Sequence, residues 1–176
     1  MTTLITILAV LIGIISLLLF MAFFTRKAYN VNRQVTINAP LIKVFNYVKL
    51  LKNQDNYNKW VMADPNMKKN FKGIDGTVGF TYGWNGNKKA GEGEQEITNL
   101  LEGKLVESEV RFVRPFSAIA HATLTLESTT ENQTRVNWSN TSEMKYPFNI
   151  IVSMIEKMLA KDMDESLNML KNILEK

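Results

Sequence analysis

The chain has 176 residues, no cysteine, one histidine and a formal net charge of +4. The lack of cysteine excludes a disulfide framework and any thiolate metal site, and a single histidine gives a poor basis for a histidine-ligated zinc or a Ser-His-Asp triad. So mild a positive charge, with no clustered basic and aromatic surface, argues against nucleic acid as a partner.

The charge is uneven. Residues 1–60 carry seven Lys/Arg and one acid, Asp55, whereas the remaining 116 residues carry 14 basic and 16 acidic side chains. The first element explains the bias. Leu4 to Phe24, LITILAVLIGIISLLLFMAFF, has no charge and only two hydroxyls, Thr6 and Ser16. As a helix, its 21 residues extend about 31 Å, close to the ~30 Å of a bilayer core. A cleaved leader has a basic start, a shorter apolar run and a small-residue cleavage site; none is evident here. The pattern predicts a permanent single-pass membrane anchor. Arg26, Lys27 and Arg33 follow the span and no Lys or Arg precedes it, which predicts a cytoplasmic C-terminal domain. The expected division is 1–27, anchor and basic flank, and 28–176, folded domain.

After a short tether, AYNVNRQVTINAP alternates apolar and polar residues, with Val31, Val35 and Ile37 near one face, and reads as a strand ending at Pro40. LIKVFNYVKLL places Leu41, Val44, Phe45, Val48 and Leu51 at helical spacing. KNQDNYNKW reads as a second short helix or turn. From Met67 to about Met144 the chain reads as consecutive antiparallel strands. These include Thr77–Trp84, a two-residue hairpin turn at Asn85-Gly86, Asn87 to about Leu100, Lys104–Val113, Ser117–Thr129 and Thr134–Met144. Phe148, Val152, Ile155, Leu159, Met163, Leu167, Leu170 and Leu174 then recur every three to four residues, predicting one amphipathic helix of nearly 30 residues opened by Pro147. Such a stripe must cover the apolar face of the sheet.

Period-two alternation assigns the inward faces. They are Val78, Phe80, Tyr82 and Trp84; Val106, Ser108, Val110 and Phe112; Ala118, Ala120, Ala122, Leu124 and Leu126; and Val136, Trp138, Asn140 and Ser142. Large aromatics on one strand face alanines on another, leaving room beneath the long helix. The pattern predicts an apolar cavity with a few polar fixtures, Ser108, Asn140, Ser142 and Gln95.

The stretch YGWNGNKKAGEGEQEI, Tyr82 to Ile97, contains Gly91-Glu92-Gly93 but is no phosphate loop, because it continues as strand where such a loop must open a helix. Glu92, Glu94 and Glu96 alternate on one face and read as a solvated outer surface, not as opposed acid and base. Gly91 and Gly93 suit a bulge or bend in a curved sheet. His121 falls on the polar face of its strand.

Together, VNRQVTINAPLIKVFNYVKLLKNQDNYNKW, GIDGTVGFTYGWNGN, GEGEQEI and the closing helix resemble the SRPBCC or START-like superfamily, in its polyketide cyclase/dehydrase-like branch. The resemblance covers about residues 30–175 and implies an α+β helix-grip fold, a curved antiparallel sheet around a long C-terminal helix with a cavity between them. It implies a hydrophobic ligand, and carries no catalytic motif to transfer.

The expected function is a membrane-anchored module that binds a hydrophobic small molecule or lipid, without cofactor or metal. Val78, Phe80, Tyr82, Trp84, Phe112 and Trp138 form the expected lining, and Gln95, Ser108 and Asn140 supply polar orientation. Two alternatives use the same scaffold. One is a cyclase- or hydratase-type enzyme, for which Tyr82, or His121 or Glu94 shifted inward by a bulge, are the candidate titratable groups. The other is an adaptor that regulates a membrane protein.

Overall fold

Alternating apolar and polar residues generate seven strands, which the computed structural model, describing residues 2–176, joins into one antiparallel sheet. The strands are β1 (Ala28–Ile37), β2 (Lys68–Lys72), β3 (Thr81–Asn85), β4 (Glu92–Leu101), β5 (Leu105–Arg114), β6 (Ala118–Thr130) and β7 (Gln133–Glu143), in the spatial order β1-β7-β6-β5-β4-β3-β2. Three α-helices accompany the sheet among the described residues: α1 (Thr2–Phe24), α2 (Leu41–Val48) and α3 (Val152–Leu174). This is the helix-grip arrangement, a curved sheet closed by a long C-terminal helix.

The main core lies between α2, α3 and the β1-β7-β6 half of the sheet. Ile37, Phe45, Val136, Met163, Leu167 and Leu170 are fully buried there. Each such side chain stabilises the fold by roughly 1.5–3 kcal/mol relative to exposure. A smaller cluster of Leu51, Phe80, Tyr82 and Ile97 fills the other half. The exposed edge β2 carries Lys68, Lys69 and Lys72, which discourages pairing with another chain.

Helix α1 lies outside this core. Among its described residues only Ala22 is buried, and the helix is long and apolar enough to cross a membrane. The residues after it begin β1 at Ala28, leaving Thr25–Lys27 as the link.

Four sequence expectations are corrected. The strand expected over Thr77–Trp84 begins only at Thr81. Gly76 and Gly79 adopt φ of +79° and +86°, and the Thr77 hydroxyl donates to the Ile74 carbonyl, so the chain turns where alternation was read. Val78 is consequently 59% exposed and not an inward residue. The two-residue turn at Asn85-Gly86 is instead a six-residue connection, Gly86 to Gly91. Asp64 accepts the Asn87 N–H and the Asn87 side chain accepts the Lys89 and Ala90 N–H groups, which satisfies a wider loop locally. The first helix after β1 stops at Val48, and Leu51 opens a separate 3₁₀ turn, Leu51–Asn56, capped by the Asp75 carboxylate. Finally, the closing helix is preceded by a distinct 3₁₀ turn, Phe148–Ile151, because Asn149 is drawn inward to bond with the end of α1, which leaves Phe148 exposed.

Candidate functional site

Between α3 and the sheet lies a cavity of about 190 Å³. Its sheet wall follows from side-chain alternation: Tyr82 and Trp84 from β3, Gln95 from β4, Val110 and Phe112 from β5, then Ala122, Trp138 and Asn140 from β6 and β7. The small side chain of Ala122, between larger neighbours, leaves the volume that an aromatic would fill. Leu159 covers it from α3, and Gln54, Asn58, Trp60 and Val61 enclose it from the segment after α2.

Two glycines shape this wall. Gly93 pairs with Trp84 across β3 and β4, and a Cβ at Gly93 would sit 2.7 Å from the indole ring. The missing side chain therefore lets Trp84 lie flat across the strand, where its Nε1 donates to the Ala90 carbonyl at 3.1 Å. Gly91 takes a φ of +68° and closes the β3–β4 connection beneath it. Trp84 meets Phe112 edge-on with ring centroids 5.9 Å apart, and Trp60 meets Trp138 likewise at 5.8 Å. Trp60 is tied to α3 by an Nε1–H donated to Asp162 at 3.0 Å, and Asp162 also pairs with Lys59. That bond, with Glu165 beside it, holds the Lys59 ammonium above its ordinary range.

The polar groups are neutral amides and phenols. Tyr29 donates its hydroxyl to Asn140 Oδ1 at 3.0 Å, Gln95 Nε2 donates to Ser108 Oγ at 2.7 Å, and Asn58 Nδ2 donates to Gln54 Oε1 at 2.8 Å. Among the described residues the amide nitrogens of Asn140 and Gln54 and the carbonyl oxygen of Gln95, three side chains of the lining, make no hydrogen bond to protein. No described lining residue is Asp, Glu, Lys, Arg or His. Burial pushes the Tyr29 phenol up. Burial, and then a 2.6 Å hydrogen bond to Asp55, pushes Tyr82 well above the ordinary tyrosine value. Asp55 is in turn paired with Lys69 at 2.7 Å.

Six of the nine sequence-predicted residues meet on this cavity: Tyr82, Trp84, Gln95, Phe112, Trp138 and Asn140. Ser108 lines a void of about 20 Å³ that shares Gln54, Gln95, Ala122 and Trp138 with it. Phe80 is buried in the smaller core cluster, off the cavity wall, and Val78 is at the surface. Val110 and Ala122, expected on inward faces, also line it, and Tyr29, Gln54, Asn58, Trp60, Val61, Met67, Ala90 and Leu159 complete the lining and were missed. Tyr29 shares the strand face of Val31, so alternation alone could have found it. The others lie on irregular segments or a helix, where no sheet period applies.

The candidate acid–base groups are placed elsewhere. His121 is exposed on the outer face of β6. Glu94 is also on the outer sheet face, held by Arg111, which binds Glu94, Glu96 and Glu109 at 2.7–2.8 Å. The register shifts within β4 and β5 fall at Glu92/Gly93 and Ile97/Asn99 and bring neither group inward. Among the described residues no cluster of His, Asp and Glu is arranged to hold a metal ion.

No family model matches the sequence, and no curated protein matches it in sequence. Solved structures do match in fold. Norcoclaurine synthase from Thalictrum flavum, solved with dopamine and hydroxybenzaldehyde, superposes with a TM-score of 0.64 at 13% identity, covering 89% of this chain and 91% of its own. The Aha1 dimer from Colwellia psychrerythraea gives 0.58 at 20% identity, covering 84% and 96%, and Ara h 8.0201 gives 0.53 at 13%, covering 81% and 98%. The shared feature is the helix-grip fold, a curved antiparallel sheet around a long C-terminal helix. At these identities the likeness is one of architecture, and one architecture hosts many activities.

Proposed function

We propose that the chain is a membrane-anchored binding protein for a neutral hydrophobic small molecule or lipid, with residues 1–27 as the anchor and 28–176 as the binding domain. The observation that carries the reading is the cavity itself, walled by Trp84, Phe112, Trp60 and Trp138 and free of charged side chains among the described residues. A charged ligand would lose its hydration there without a counter-charge, which costs several kcal/mol. An apolar ligand gains roughly 25 cal/mol for each Å² it buries, and a carbonyl or hydroxyl on it finds the Asn140 and Gln54 amides or the Gln95 oxygen.

Size narrows the class. A cavity of 190 Å³ exceeds the ~150 Å³ that takes up benzene and is below the ~300 Å³ of drug-sized pockets. It suits a ring or the end of a chain, with the rest of a longer molecule lying through the mouth. Binding is favoured over catalysis because the two phenols on the wall, Tyr29 and Tyr82, both have proton affinities raised away from neutrality. Anchoring is supported by the length and apolarity of α1 and by its exposure outside the core. The basic flank after it favours a cytoplasmic domain.

The test is native mass spectrometry of the full chain released from nanodiscs, followed by organic extraction. The expected result is a reproducible neutral adduct that disappears in Trp84→Ala. A clean apo mass, with no uptake from a mixture of neutral lipids, would end the binding reading.

A further inference from the structure

Resting on the anchored reading above, we infer that the folded body lies against the bilayer with the cavity mouth in the lipid interface, so that the ligand enters from the membrane and not from water. Three sets of observations place it there.

The first is the joint with α1. The buried Asn149 side chain donates from Nδ2 to the carbonyls of Ala22 at 2.6 Å and Thr25 at 2.8 Å, at the helix C-terminus, where carbonyls lack their regular helical partners. Tyr146 donates to the Leu19 carbonyl, and Arg26 pairs with Glu156 of α3. These bonds fasten the body to the last turns of α1.

The second is topology. Antiparallel register brings the start of β1, the end of β7, the start of β6, the end of β5, the start of β4 and the end of β3 to one end of the sheet. That is the end where α1 joins. It is also where Trp84, Ala90 and Phe112 line the cavity.

The third is what this end exposes. Phe112, itself on the cavity wall, is exposed at this end together with Val113, Phe116 and Phe148, and Met154 and Met158 are exposed in the first turns of α3. The Phe116 and Phe148 rings approach to 5.8 Å, joining the β5–β6 connection to the turn that holds α1. Leu159, next to Met158, lines the cavity. By strand register and element order Lys27, Lys68, Lys88, Lys89 and Lys145 belong to this end and Lys157 to the first turns of α3; among the described residues none of them takes part in an ion pair, and Asp64 and Glu143 are the acids of this end outside ion pairs. Apolar side chains accompanied by lysines and continuous with a spanning helix fit a lipid interface with anionic headgroups.

The chain has no cysteine, so single nitroxide labels are clean. Phe116→Cys, Phe148→Cys and Met158→Cys report these exposed apolar positions, Ile12→Cys the middle of α1, and Glu131→Cys the opposite end of the sheet. The full chain is reconstituted in nanodiscs of phosphatidylcholine and phosphatidylglycerol, and label collisions with oxygen are compared with those of a water-soluble nickel chelate. The expected result is oxygen-dominated collision at 12, 116, 148 and 158 and nickel-dominated collision at 131. Nickel-dominated collision at 116, 148 and 158, with 12 still oxygen-dominated, overturns the inference and leaves the anchor intact. Nickel access at 12 overturns the anchored reading, and this inference with it.

Discussion

Tyr29 donates its hydroxyl to Asn140 Oδ1 at 3.0 Å, diagonally across the β1–β7 pair in which Tyr29 faces Ser142 and Val31 faces Asn140. The bond fixes which end of the amide turns toward the cavity. In Tyr29→Phe the carbonyl loses its donor and the amide is free to rotate. The expected loss of stability is about 1–3 kcal/mol, the cost of a buried polar group left unpaired. Binding of an acceptor-bearing ligand is expected to fall about tenfold, equivalent to roughly 1.4 kcal/mol. Denaturant unfolding in micelles and titration with the extracted ligand measure the two effects. Unchanged affinity would remove this amide from ligand recognition.

Gly93 leaves the space across which Trp84 lies. Gly93→Ala must push the indole aside and also part β4 from the Arg111 carbonyl of β5, which a Cβ would approach to 2.5 Å, at an expected cost of about 1–3 kcal/mol for overpacking. The cavity wall moves with it, so the variant should also lose the mass-spectrometric adduct. Near-ultraviolet circular dichroism would register the displaced indole. A wild-type spectrum together with retained adduct would contradict the assignment of Gly93 to Trp84 placement.

Tyr82 is held protonated by burial and by its bond to Asp55. The sign of the pH effect follows. The folded chain keeps the proton more tightly than the unfolded chain, whose tyrosine titrates near 10. The Tyr82 contribution to stability is therefore fully present below about pH 10 and is lost as pH rises above it. Tyr82→Phe should make the alkaline limb of the stability–pH curve shallower without removing it, because burial raises Tyr57 and Tyr29 in the same direction, as measured by denaturation between neutral and alkaline pH. An alkaline limb identical to wild type would show that Tyr82 does not contribute to it.

Arg111 gathers Glu94, Glu96 and Glu109 on the outer sheet face, and these contacts raise its own proton affinity. Each pair is partly exposed and contributes at most about 1 kcal/mol. Arg111→Gln leaves the three carboxylates beside one another on β4 and β5, where Glu96 directly faces Glu109. Like charges opposite one another destabilise a sheet, so a total loss of about 1–2 kcal/mol is expected, most of it recovered in 1 M salt, where screening acts over about 3 Å. Ligand binding should not change, because this face lies outside the cavity. A loss that salt does not relieve would mean that packing by the Arg111 stem matters more than its charge.

Local periodicity determined much of this protein. Helical spacing from Val152 to Leu174 and alternation in β5, β6 and β7 follow directly from which side chains avoid water, and they place Phe112, Trp138 and Asn140 inward. The apolar run of α1 is likewise a local property. Alternation failed where backbone conformation intervened. Gly76 and Gly79 took positive φ, the chain turned, and Val78 went to solvent while Phe80 and Tyr82 stayed inside. Only the tertiary structure decided the rest of the cavity wall, because Gln54, Asn58 and Trp60 sit on irregular backbone with no period to read. It alone brought Asn149 to the end of α1, across more than a hundred residues of chain. That contact depends on the path of the whole sheet. A helix end with unpaired carbonyls accepts whatever donor the fold carries to it, and no local pattern records which donor that is.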